Sequence, residues 1–553
     1  MWPVLVAFFF CLCIVPYQAV QIIEFCPDPY LFDDADEYLV LSGHGTLDGI
    51  SISDGNGGFR FPPGTSINGS VTVVRNSRAF EQTQGRPPDF EWQGDSPAVP
   101  DVINGRILRM ANAWDSLRLY DNGKLVQEIS WPEDVHPREG QVHFLEDGVW
   151  DRRPLLLGQS RLQPDTFRDI TVTIFVSPDC SSDVFFSAID RARSTLLVNV
   201  YEFSSTTISA ALIGAKQRGI DVDVLVEGGP VGGISPEEKT AIWQMNQSGI
   251  PVWEMAAPAG GHAPYRFDHA KYVVIDDQAV LLTSENFKQS GFPTTGVSGN
   301  RGWGVYLVNP ELAGYFTTVY RTDLAGYAIQ PVYGANGTVE PVPATTYAVK
   351  FTPAIFYNAT VTPVISPDTS WQITQLLNSA ETSIEIEQAY ITNETATTLN
   401  PYLASAINAS RRGVKVQVLL DSYWYNIEDE ADNDEMAALV NSIAADEHLP
   451  LEARCADLAA GNVDKIHNKG VIVDDRLALV SSINWNSNSP NFNREAGAII
   501  EHPGVAQYFH AVFDNDWAPA VHSSRQQTDY LKIAAVIIVV SLLTGLYYWR
   551  HIR

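Results

Sequence analysis

His269–Asn286 reads HAKYVVIDDQAVLLTSEN, and His467–Asn484 reads HNKGVIVDDRLALVSSIN. The two stretches repeat four polar identities at a constant offset of 198: His269 and His467, Lys271 and Lys469, Asp276 and Asp474, Asn286 and Asn484. Each opens on an apolar, β-branched run, which predicts a strand. Side chains alternate along a strand, so His269 and Lys271 share a face and Asp276 falls on the other, near the strand's end. A turn at Asp276–Asp277–Gln278 leads into a second strand. In a tight hairpin, positions summing to 555 would face each other, setting His269 beside Asn286 and Lys271 beside Ser284. In the second copy, positions summing to 951 would set His467 beside Asn484 and Lys469 beside Ser482.

Each hairpin therefore offers an imidazole, an ammonium, a hydroxyl and an amide on one face. That set suits a phosphodiester. Lysine brings charge to a phosphate oxygen, and serine and asparagine bring oriented hydrogen bonds. An imidazole can attack phosphorus or move a proton, but not both in one step. Two copies resolve this, because one histidine attacks while the other protonates the leaving oxygen. A lone His and Lys on a strand would more simply be a surface face; the duplication at fixed spacing speaks against that.

The pattern H-x-K-x4-D followed by S-x-N, present twice, resembles the phospholipase D superfamily over roughly residues 170–517. The resemblance implies an α/β fold of two repeats sharing one catalytic site, a covalent phosphohistidine, no metal and no cofactor. It implies His269 as nucleophile and His467 as general acid, with Lys271, Lys469, Asn286 and Asn484 on the phosphate. Ser284 and Ser482 join the phosphate-binding set, and Asp276 and Asp474 the catalytic one. Each hairpin is followed by a related string, NRGWGVYL from Asn300 and NREAGAII from Asn493. A carboxylate at this place in the family orients the histidine through its other ring nitrogen, and Glu495 matches it. Gly302 stands in the equivalent place of the first copy. His269 is then either without a carboxylate or borrows one from elsewhere.

The flanks build a frame around this unit. Residues 1–21 carry an apolar run and resemble a cleaved signal peptide, the alternative being a retained anchor. Residues 22–131 hold short strands split by turn residues, an all-β sandwich pattern. DEYLVL, SDGNGGFRFPPGT and DSLRLYDNGKLVQEISW resemble the lamin-tail domain, an immunoglobulin-like sandwich. Residues 132–165 read as a connector, 166–330 as the first repeat, 331–360 as linker with edge strands, and 361–520 as the second repeat. FVSPDCSSDVFFSAIDRARSTLLVNVYEF and VISPDTSWQITQLLNSAETSIEIEQAY are matching strand–helix–strand units. Residues 530–549 are long and apolar enough to span a bilayer, and the basic 550–553 tail would lie inside. Six N-x-S/T sequons, at Asn68, Asn246, Asn336, Asn358, Asn393 and Asn408, agree with an extracytoplasmic location.

The formal net charge of −29 disfavours a polyanionic partner such as nucleic acid. Five cysteines, two of them in the leader, exclude a disulfide scaffold and a zinc site. The expectation is a membrane-anchored, extracytoplasmic phosphodiesterase acting on a phospholipid by hydrolysis or transfer. An exported nuclease of the same superfamily and a non-enzymatic surface-binding protein are the rival readings.

Overall fold

The computed structural model describes residues 19–518 apart from residues 113–114, 132–137, 147, 152, 258–261, 335–344, 396 and 429–431. The expected signal peptide, except its last residues, and the apolar run 530–549 lie outside the described residues. Among the described residues no helix is long and apolar enough to cross a membrane.

One sheet of 15 strands runs through both repeats. At its middle, Phe167–Ser177 pairs antiparallel with Ala354–Ser366, and an approximate twofold relates what lies on either side. On one side the order runs outward through Gly302–Val308, Ala279–Thr283, Lys271–Ile275, Thr195–Val200, Asp221–Glu227 and Val252–Met255. On the other it runs through Glu495–Glu501, Leu477–Ser481, Lys469–Val473, Ser383–Gln388, Lys415–Leu420 and Leu451–Cys455. Helices cover the sheet, so Lys271–Ile275 and Lys469–Val473 are buried along their whole length. This is why their sequences read as continuous apolar runs, as in sheets covered on both faces.

The hairpin register differs from the expected one by a single step. Val274 pairs with Val280 and Ile275 with Ala279, so paired positions sum to 554; the second copy pairs Val471 with Leu479 and Ile472 with Ala478. The cause is a three-residue turn in which two consecutive aspartates take left-handed backbone. Asp276 and Asp277 have φ of 56° and 52°, and Asp474 and Asp475 have 55° and 50°. Aspartate is among the few non-glycine residues that tolerate that region.

The β region expected over residues 22–131 is built of two sheets, one of six strands and one of five. This β region reaches past residue 131. His143–Glu146 pairs with Gln21–Cys26 and carries Val149–Trp150 at the sheet edge. Leu157 still packs on that β region, beside Cys26 and Tyr38, and the connector reaches the repeats at Ser160 and Leu162, where Ser160 Oγ and the Leu162 amide both donate to the buried Asp368. The segment expected as linker with edge strands, 331–360, runs into a central strand, Ala354–Ser366, that continues into the second repeat. Cys26, Cys180 and Cys455 are free thiols.

Candidate active site

His269 and His467 each sit just before a buried strand, and each is held by the opposite repeat. The His269 amide donates to the Arg494 carbonyl at 2.7 Å, and the His467 amide to the Arg301 carbonyl at 2.8 Å. The two arginines are fully buried and mirror one another. Arg301 meets Asp179 of its own repeat and Asp516 of the other; Arg494 meets Asp368 of its own and Asp323 of the other. Hydroxyls complete each cluster, Tyr347 beside Arg301, and Tyr265 with Ser160 beside Arg494. A buried guanidinium stripped of either carboxylate would leave charge without water or partner, which ties the repeats into one register.

The imidazoles follow the same exchange. His269 Nδ1 lies 2.7 Å from Glu495 Oε2. Glu495 therefore serves the histidine of the first repeat, not that of its own, and His269 borrows its carboxylate from across the twofold. Glu495 is itself fixed by Ser482 Oγ at 2.6 Å and by Asn493 Nδ2 at 3.0 Å. His467 Nδ1 lies 3.3 Å from the Oε2 of Glu285, a residue of the first repeat that the sequence reading passed over. With Nδ1 turned to a carboxylate, Nε2 is the nitrogen each ring has left for chemistry.

The lysines sit beneath the histidines. Lys271 Nζ donates to the His269 carbonyl at 2.6 Å and Lys469 Nζ to the His467 carbonyl at 2.7 Å. The His269 pKa is lowered by burial, which outweighs the attraction of Glu495. His467 is lowered much further, by burial and then by Lys469, Lys465 and Lys271. Burial also draws Lys271 down to about 8, against the opposing pull of Glu495 and Glu202. Charges of one repeat thus act on the histidine of the other, so the two motifs form one site. The Tyr201 ring meets His269 edge-on, with centroids 4.6 Å apart.

Four expected site residues stand elsewhere or do other work. Asp276 lies at the far end of its strand, about 16 Å from Lys271 at the usual rise per residue. Its carboxylate accepts from the amides of Arg193, Ser194 and Thr195 and from Ser194 Oγ. Asp474 does the same for Glu381, Thr382 and Ser383. Both anchor the start of a neighbouring strand. Ser284 and Ser482 are fully buried, and their hydroxyls accept the amides of Trp303 and Ala496. They brace strands, and Ser482 also braces Glu495. Asn286 stays at the site, donating to Glu202 at 2.7 Å, and Asn484 is buried to a similar degree. Among the described residues the one grouping with metal-ligand character is Glu385, His510 and Asp514. It is knit by its own ion pairs and shares no residue with the histidine–lysine site.

A sequence model of the family described as the cardiolipin synthase, phospholipase D-like domain matches residues 185–324 and 373–517, more than half of the chain. The chain belongs to this family. A phospholipase D of Rickettsia bellii is 26% identical over 115 residues, covering 21% of this chain and 52% of the relative. A phospholipase D of Rickettsia typhi is 23% identical over 124 residues, covering 22% and 55%. The chain thus spans about half the length of the curated relatives it matches. Among solved structures, the phosphatidylserine synthase of Haemophilus influenzae is 14% identical with a TM-score of 0.48, covering 67% of this chain and 94% of that one. Nuc, a phospholipase D family member from Salmonella typhimurium, is 24% identical with a TM-score of 0.25, covering 31% and 100%.

Proposed function

We propose that the protein is a phosphodiesterase of the phospholipase D type that cleaves or transfers a phospholipid phosphodiester through a phosphohistidine. The observation that carries the reading is the crossed pairing of His269 with Glu495 and His467 with Glu285 above two buried lysines. His269, neutral and with Nδ1–H turned to Glu495, presents its Nε2 lone pair to phosphorus. The Nε2–P bond forms as the ester P–O bond breaks, and the departing oxygen takes a proton from His467 Nε2. Water or an alcohol then gives its proton to His467, its oxygen bonds to phosphorus, and the P–N bond breaks.

The low pKa of His467 fits this only with substrate bound. Part of what depresses it is repulsion from Lys469, Lys465 and Lys271. A phosphodiester anion seated among those lysines offsets that repulsion and raises the His467 pKa, so the substrate itself loads the acid.

The phospholipid assignment rests on the names of the relatives, the acidic chain and the apolar 530–549 segment. We read that segment as the single membrane anchor and the preceding domains as extracytoplasmic. Residues 22–131 we read as lamin-tail-like, a surface or ligand attachment module. Asn68, Asn358 and Asn408 are exposed, as glycosylation acceptors would need to be. The test uses full-length wild type, His269→Ala and His467→Ala in detergent, with chelator, against a phospholipid panel and a single-stranded oligonucleotide. Lipid turnover that survives chelator and vanishes in both variants supports the reading. Turnover of the oligonucleotide alone moves the protein to a nuclease.

A further inference from the structure

Compare what surrounds the carboxylates of the two repeats. In the second, Glu495 stands at the first position of the strand Glu495–Glu501, and Ile483 fills the middle of S-x-N. In the first, Gly302 opens the matching strand Gly302–Val308, and Glu285 fills the middle of S-x-N. The glutamate and the side chain without charge have changed places.

The space is shared as well as the chemistry. A Cβ added to Gly302 would meet Glu285 Oε1 at 2.3 Å and its Cγ at 2.6 Å. The Glu285 side chain thus lies where a side chain at 302 would begin. Its carboxylate is received by the equivalent partner, for Asn300 Nδ2 donates to Glu285 Oε2 at 2.9 Å as Asn493 Nδ2 donates to Glu495 Oε1 at 3.0 Å. It also faces the equivalent target, Nδ1 of the other repeat's histidine. Glu285 is buried to 1% exposure, so a merely structural carboxylate there would have to be explained without water.

We infer that Glu285 is the positioning residue of His467, a relocated carboxylate that does for the first repeat what Glu495 does for the second. Gly302 is then a requirement: it keeps open the space that Glu285 occupies. The inference rests on the proposed phosphodiesterase reading only for its kinetic consequences. The relocated group is less well supported than its counterpart. Ser482 Oγ donates to Glu495, whereas Ser284 makes no matching bond to Glu285, and His467 Nδ1 stands 3.3 Å from Glu285 without a hydrogen bond, against the 2.7 Å hydrogen bond of His269 to Glu495. The first repeat thus supplies the looser imidazole–carboxylate pair, at the histidine that must take up and release a proton in each cycle.

The experiment compares full-length wild type with Glu285→Gln, Glu285→Ile, Gly302→Glu and the double variant Glu285→Ile/Gly302→Glu. The probe is bis(4-nitrophenyl) phosphate, whose phenolate leaves without protonation. In Glu285→Gln, His269 still attacks, so about one equivalent of 4-nitrophenolate appears in a burst. Steady turnover, which needs His467 to activate water, falls by roughly 10²–10⁴-fold. Gly302→Glu alone forces two carboxylates into one space and falls as well. The double variant rebuilds the arrangement of the second repeat and turns over at least tenfold faster than either of its single parents. A rescue of that form shows that positions 285 and 302 act as one pair, and the burst with slowed steady turnover in Glu285→Gln separates positioning of His467 from packing.

Steady turnover of Glu285→Gln at the wild-type rate overturns the inference, as does a folded double variant no faster than its parents. Imidazole ¹⁵N shifts of His467 in labelled protein give a second readout that needs no turnover. The Nδ1 resonance moves in Glu285→Gln and returns in the double variant; an unmoved resonance overturns the assignment. Should folded wild type release no phenolate while the Nδ1 resonance behaves as stated, the phosphodiesterase reading fails and the pairing stands.

Discussion

Glu495 and His269 lie 226 positions apart in the chain and 2.7 Å apart in space, and they come from opposite repeats. The contact makes each imidazole a property of the assembled pair, not of its own motif. Glu495→Gln should therefore injure the first repeat's histidine. With the amide at 495, the Nδ1–H of His269 loses its anionic acceptor and the imidazolium formed on attack loses its counter-charge. The phosphoenzyme step slows by roughly 10²–10⁴-fold, and the nitrophenolate burst disappears. His467→Ala should do the reverse, leaving a burst and an accumulating phosphohistidine on His269. Intact-mass spectra of acid-free quenched samples distinguish the two. A phosphate found on His467 in wild type would reverse the assignment of roles.

Asp276 and Asp474, though part of the duplicated motif, are expected to govern stability and not rate. Each gathers backbone amides from the start of a neighbouring strand, and Asp276→Asn or Asp474→Asn strips the charge from those bonds at a cost of about 1–3 kcal/mol. Burial works to raise the Asp276 pKa, but the hydrogen bonds from Thr195, Ser194 and Arg193 outweigh it and hold it below the ordinary value. A depressed folded pKa contributes stability that is present above the unfolded value, about 3.9. That stability is lost as pH falls through the folded one. The gap between wild type and Asp276→Asn in urea denaturation should be constant at neutral pH and close in acid, with kcat unchanged throughout.

The duplicated motif, its strands and the α/β repeats were legible because they are local and periodic. His269 and Lys271 carry their own spacing, and the apolar runs around them announce buried strands. The hairpin register was not, since nothing in Asp276–Asp277–Gln278 tells a three-residue loop from the two-residue turns that tight hairpins prefer. Nor does any spacing announce that Ser284 and Ser482 accept the amides of Trp303 and Ala496. The crossed partners were hidden for a different reason. No spacing in the chain says that residue 495 folds over residue 269. Glu285 did leave a signal: a carboxylate gained inside S-x-N and one lost at Gly302, in the same repeat. Two departures that compensate each other are evidence of one structural role, and reading them together would have found it.

Arg494 lies fully buried between Asp323 of one repeat and Asp368 of the other, and its carbonyl holds the His269 amide. Arg494→Met keeps the bulk and removes the charge, leaving two carboxylates facing each other without water. The loss should be about 3–5 kcal/mol. Adding Asp323→Asn and Asp368→Asn to Arg494→Met should restore much of it, because the uncompensated charge goes with them. Equilibrium denaturation in guanidinium chloride reads both. If Arg494→Met alone costs less than the triple variant, the cluster is not the clamp between repeats that its geometry describes.

Burial lowers Lys469 well below the ordinary lysine value, and the part of the alkaline limb near pH 8 should belong to Lys271. Burial lowers its pKa to about 8 in spite of Glu495 and Glu202, so the ammonium that would meet the phosphate is present below that pH and lost above it. The free-enzyme profile, kcat/KM against pH, reports such a group directly. We expect kcat/KM to fall above about pH 8, tenfold per unit once the limb is established. Lys271→Arg separates charge from titration. A guanidinium stays charged through the whole accessible range, while its broader head fits the lysine's place poorly. The variant should therefore be slower at neutral pH and yet lose the fall centred near pH 8, keeping only what Lys469 contributes. A limb that persists at the same pH in Lys271→Arg would assign the titration to another group, with Glu285 excluded by its sign: a carboxylate losing its proton would strengthen its hold on His467, not release it.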